Sequence, residues 1–130
     1  MAERPKVLIV EDEEDILAET KEILVKQGFP VFTAVNSDEA EALRVKERPR
    51  IYVIDVHMPK STLDGIGVLQ KVRAQDKQAY CIMLSRIDEY DKVQSAKECG
   101  ADRYVLKPID FSCLLKLLEE AAAVVAGRPA

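Results

Sequence analysis

No apolar run in the 130 residues approaches the roughly 18 that a membrane-spanning helix needs, and the start, Met1-Ala-Glu-Arg-Pro-Lys6, lacks the apolar core of a secretion signal. Cysteine is scarce. Cys81, Cys99 and Cys113 are odd in number and far apart, which excludes a disulfide framework and a zinc knuckle. Cys81 lies in an apolar run and Cys113 in a helical pattern, so both read as buried, inert thiols. Histidine occurs once, at His57. Positive charge is in the minority: the net charge is -4, which argues against a dedicated nucleic-acid surface. No repeat, low-complexity tract or linker interrupts the chain. These absences leave a cytoplasmic protein of one domain over 1–130, with its core over about 5–126.

What is present is a conventional balance of 48% hydrophobic and 32% charged residues, enough to bury a core and too apolar for disorder. Five short apolar runs alternate with five helical patterns. The runs are Val7–Val10, Val31–Val35, Ile51–Ile54, Tyr80–Leu84 and Tyr104–Leu106. The unbroken run Ile51–Ile54 suits a strand covered on both faces. The helical patterns follow each run, the first with Ile16, Leu17, Thr20, Ile23 and Leu24 and the last with Phe111, Leu114, Leu115, Leu118 and Val125. Asn36 or Ser37 caps the second helix, with Glu39 placed for a capping box. Strict alternation predicts an α/β fold: a parallel sheet with helices on both faces and right-handed crossovers.

The chemistry sits where strands run out. Glu11 and Asp12 follow the first strand, Asp55 the third, Ser85 the fourth and Lys107 the fifth. In a parallel sheet these ends share one edge, where α/β proteins bind ligands. Three carboxylates gathered there repel one another unless a cation intervenes. Oxygen donors of this kind suit a hard divalent ion, Mg²⁺ above all.

These stretches resemble the receiver domains of two-component response regulators, over nearly the whole chain. Val-Leu-Ile-Val-Glu-Asp-Glu is similar to their first strand and acidic pair, and Val53-Ile-Asp-Val-His-Met-Pro59 to their phosphoacceptor strand. Asp64-Gly65, Ser85, Gly100-Ala-Asp102 and Tyr104-Val-Leu-Lys-Pro108 match in order and spacing. The resemblance implies a flavodoxin-like five-stranded sheet of order 2-1-3-4-5. It implies that Asp55 accepts a phosphoryl group from a sensor histidine kinase or a histidine phosphotransferase. Glu11, Asp12, Asp55 and the main-chain carbonyl of His57 would hold Mg²⁺. Lys107 would pair with Asp55 and then with the phosphoryl group, its bond to Pro108 being cis. Ser85 and Tyr104 would form a switch that alters the face made by the fourth helix, fifth strand and fifth helix, and so controls a downstream target or effector domain. The protein would assist its own modification without turning over an external substrate.

Plainer roles exist for each residue. Acids in a first helical turn favour the helix dipole, Ser85 could cap the next segment, and Lys107 could be a surface lysine. Tyr104 could be an ordinary half-buried aromatic, and the ring of His57 could be a rival metal ligand or phosphoacceptor. The chain also departs from the family pattern. Glu11 stands where aspartate is commoner, Lys60-Ser-Thr-Leu63 lengthens the loop after Pro59, and Arg86 replaces a small residue. Arg86 and His57 are expected to slow loss of the phosphoryl group to water, and the longer loop to alter the mouth or a partner contact. A flavodoxin-type carrier is excluded, because its anionic cofactor would meet five acids, Glu11 to Asp15. A degenerate receiver serving only as an interaction module is the remaining alternative. The final helix, with Leu114-Leu-Lys-Leu-Leu-Glu-Glu120, lacks the dimerising pattern of winged-helix members, which favours a free-standing receiver.

Overall fold

The computed structural model describes residues 4–86 and 90–129. Residues 1–3, 87–89 and 130 of the expected domain lie outside this description. Strands β1 (Val7–Val10), β2 (Val31–Ala34), β3 (Ile51–Asp55), β4 (Tyr80–Ser85) and β5 (Arg103–Leu106) alternate with helices α1 (Glu14–Lys26), α2 (Ser37–Glu47), α3 (Gly65–Gln75), α4 (Tyr90–Glu98) and α5 (Phe111–Ala126). The strands form one parallel sheet in the order β2-β1-β3-β4-β5, as the resemblance implied.

Successive strand residues point to opposite faces, so each unbroken apolar run feeds two cores. Leu8, Val10, Tyr52, Ile54, Cys81 and Met83 pack with Ala40 of α2, Leu69 and Val72 of α3 and Ala96 of α4. Val7, Ile9, Ile51, Val53, Ile82 and Leu84 pack with Leu17 and Leu24 of α1 and with Leu114, Leu118, Ala121 and Val125 of α5. Burying a side chain such as Leu114 or Leu118, both fully enclosed, stabilises the fold by about 1.5–3 kcal/mol. The α5 stripe adds the buried Ala121 to the expected residues, while Leu115 and Phe111 are half-buried against the same cluster.

Cys113 corrects a sequence expectation. Cys81 is buried, but Cys113 is exposed and Cys99 intermediate. The reason is phase: Cys113 precedes the buried Leu114 by one residue, about 100° around the helix, and so faces water. Its amide serves the helix start instead, donating to Asp110 Oδ1 at 3.2 Å.

The helix ends explain the strand-edge geometry. Asn36, not Ser37, caps α2: its Oδ1 accepts from Glu39 N at 2.9 Å, while Glu39 Oε1 accepts from Val35 N at 3.0 Å. Asp64 caps α3 by accepting from Gly67 N at 3.0 Å. Gly65 then lies against the end of β3, its N–H donating to the Val56 carbonyl at 2.9 Å. A Cβ there would collide with the Asp55 carbonyl oxygen and sit 2.6 Å from Val56 Cα. Only glycine lets α3 start so close to the strand that presents Asp55.

Candidate phosphoacceptor site

Register brings the strand ends together. Val10 pairs with Ile54, which sets Glu11 level with Asp55. Asp55 pairs with Leu84, placing Ser85 one residue beyond it, and Ser85 pairs with Leu106, placing Lys107 one residue further. The amide of Val56 donates to Leu84 O at 2.8 Å and that of Lys107 to Ser85 O at 2.8 Å, so the strand ends stay tied past the last paired residues. The Lys107-Pro108 peptide is cis.

At this edge Glu11 is fully buried and Asp55 is 2% exposed. Lys107 Nζ lies 2.9 Å from Glu11 Oε1 and 3.2 Å from Asp55 Oδ1. Sequence reasoning paired the lysine with Asp55 alone; its shorter contact is to Glu11. Asp12 is half-buried, and Glu11, Asp12 and Asp55 each offer an oxygen within 4.8 Å of the others'. Lys107 thus contacts two of three clustered carboxyl groups. Burial, and then the hydrogen bond and charge of Glu11, push the Asp55 carboxyl up to about 8, against the pull of Lys107. Burial pulls the Lys107 pKa down, but Glu11 and Asp55 outweigh it and leave the lysine above its usual value. The donors of Glu11, Asp12 and Asp55 are all hard oxygens, which suit a hard metal ion.

Ser85 is fully buried, and its Oγ has no hydrogen-bond partner among the described residues. An enclosed hydroxyl without a partner is costly. Tyr104 pairs with Met83 and Ser85 with Leu106, which puts Ser85 and Tyr104 one diagonal apart on the same sheet face. The Tyr104 ring is half-buried against the cluster that includes Ala96, with Lys97 Nζ 5.7 Å from its centre. Its hydroxyl is enclosed and likewise without a partner among the described residues.

The remaining expected residues lie at the rim. His57 is exposed while its neighbour Met58 is buried, and its ring is not among the clustered ligand atoms. Arg86 is exposed directly after Ser85. Sequence reading noted Asp64-Gly65 without a role; the signal was an Asp-Gly pair after the loop, and its meaning is the close approach of Gly65 to Asp55.

Comparison with known proteins agrees with this geometry. The sequence model of the response regulator receiver domain matches residues 7–119. The transcriptional regulatory protein PrrA of Mycobacterium tuberculosis is 38% identical over 124 residues, covering 95% of this chain and 51% of that protein. The chain therefore spans about half the length of this relative. Sporulation initiation phosphotransferase F of Bacillus subtilis is 33% identical over 106 residues, 82% of this chain and 84% of its own length. Among solved structures, the receiver domain of NtrX from Brucella abortus superposes with a TM-score of 0.86 at 29% identity, covering 90% of this chain and 98% of that one. The chain belongs to the family of response regulator receiver domains.

Proposed function

We propose that the chain is a phosphoacceptor switch in which Asp55 takes a phosphoryl group from a phosphohistidine of a sensor histidine kinase or a histidine phosphotransferase. The observation that carries this reading is the buried Asp55 beside Glu11, with Lys107 Nζ within 3.2 Å of both acids. Phosphoryl transfer asks a protein mainly for positioning and charge neutralisation. Glu11, Asp12 and Asp55, with the main-chain carbonyl of His57, would hold Mg²⁺, which when bound offsets the repulsion between carboxylate and incoming phosphoryl oxygens.

An Asp55 oxygen attacks phosphorus. The new P–O bond forms as the P–N bond breaks, and the imidazole leaves with the electron pair. Lys107 then exchanges a carboxylate contact for a phosphoryl oxygen, and the Ser85 hydroxyl donates to another. The movement of Ser85 opens space beside Tyr104, and the aromatic reports the new charge to the face formed by α4, β5 and α5. A downstream target or effector domain reads that face. Arg86, following Ser85 at the rim, and His57 shield the acyl phosphate from water. No external substrate is turned over.

Incubating the chain with a small phosphodonor and Mg²⁺, and measuring its intact mass before and after, tests this. A gain of one phosphoryl group that vanishes in Asp55→Asn is expected. An unchanged wild-type mass would leave the chain as an interaction module without phosphorylation.

A further inference from the structure

The longer loop after β3 does more than lengthen the rim. Ser61 N–H donates to the Met58 carbonyl at 3.1 Å, closing a turn over Pro59 and Lys60. Ser61 Oγ accepts from Ser37 N at 2.8 Å, and Ser37 Oγ accepts from Leu63 N at 3.1 Å. The two serines form a clip between the loop and the first residue of α2. Ser37 is buried, and Leu63 packs against Gly67, where an added Cβ would come within 2.9 Å of Leu63 Cβ.

The partner side of the clip is itself anchored. Glu11 N–H donates to Ala34 O at 3.0 Å, so the junction from β2 into α2 is fixed to the strand end that carries Glu11 and Asp12. The loop's far end is held differently: Asp64 Oδ2 meets Lys92 of α4 at 3.1 Å, with both side chains substantially exposed. Exposed ion pairs contribute little. The loop is thus pinned firmly towards α2 and loosely towards α4.

We propose that Ser37 and Ser61 are positioning residues for the acid cluster. Their hydrogen bonds hold segment 57–60, and with it the His57 carbonyl, at a fixed separation from Glu11 and Asp12 across the mouth. Preorganising a donor before the ion arrives removes an ordering cost from binding. This rests on the reading of the mouth as a divalent-cation site.

Mn²⁺ binding to the full chain, followed by electron paramagnetic resonance, tests it. Ser61→Ala is expected to weaken Mn²⁺ binding by about two- to tenfold, the worth of one net hydrogen bond. Ser61→Thr, which keeps the hydroxyl, restores the affinity, and Lys92→Ala leaves it unchanged. Amide exchange at Ser37 quickens in Ser61→Ala while the core amides stay protected, which separates a loosened clip from an unfolded chain. Wild-type affinity in Ser61→Ala, or equal weakening in Lys92→Ala, overturns the clip and spares the metal site. A wild-type chain that does not bind Mn²⁺ overturns both.

Discussion

The two ends of the sheet set cations against acids in opposite proportions. At the edge where β4 and β5 begin, Asp102 meets two cations, Arg73 at 2.8 Å and Arg128 at 3.8 Å. Arg73 also donates to the carbonyls of Gly100 and Ala79, and Asp102 Oδ2 accepts from Cys81 N at 2.8 Å. At the edge where the strands end, one lysine serves two buried acids with a third nearby, and the Ser85 hydroxyl has no partner among the described residues. A network in which cations match or outnumber acids locks tertiary structure. One in which buried acids outnumber the cation that contacts them costs stability, which on the function proposed above is offset when a cation or phosphoryl group binds.

Breaking each network sharpens the contrast. Lys107→Ala takes the cation from two buried acids, Glu11 and Asp55, and should lower unfolding stability at neutral pH by about 3–5 kcal/mol, measured by urea denaturation. Adding Asp55→Asn to that variant should recover part of the loss, because Glu11 no longer faces a second ionisable acid. Arg73→Ala leaves Asp102 with Arg128 and the Cys81 amide and should cost about 1.5–3 kcal/mol, with phosphoryl uptake at Asp55 retained. Were Arg73→Ala to abolish uptake, the two edges would not be separable.

The subtlest expected effect is on pH dependence. Folding raises the Asp55 carboxyl from 3.8 to about 8. Between those values the folded chain holds a proton that the unfolded chain has released. This contribution to stability is therefore full below the lower value and lost as pH rises through the higher one. In metal-free buffer the stability advantage of Asp55→Asn over the wild type should widen with pH across that window, by at most about 1.4 kcal/mol per unit. Parallel curves would show that Asp55 does not carry the raised pKa.

Much of this edge was legible in the chain. Each apolar run terminates on a polar residue that a strand covered on both faces has no reason to present, and parallel order sends all those ends one way. The second cap was less legible, because Asn36 and Ser37 are both good capping residues and only tertiary contact assigns Ser37 to Ser61. Cys113 was misread because one residue of helical phase separates a core position from an exposed one. The preference of Lys107 for Glu11 and the approach of Gly65 to Asp55 are distances between remote segments, which no local pattern encodes.

The central claim is that the acids at the strand ends are short of positive charge and accept a divalent cation. Thermal unfolding with increasing Mg²⁺ tests it most directly. The melting temperature of the wild type should climb with Mg²⁺, by the equivalent of about 2.7 kcal/mol at a hundredfold excess over the dissociation constant, and the climb should shrink in Asp12→Asn. A wild-type melting temperature indifferent to Mg²⁺, or a climb equally large in Asp12→Asn, would contradict it.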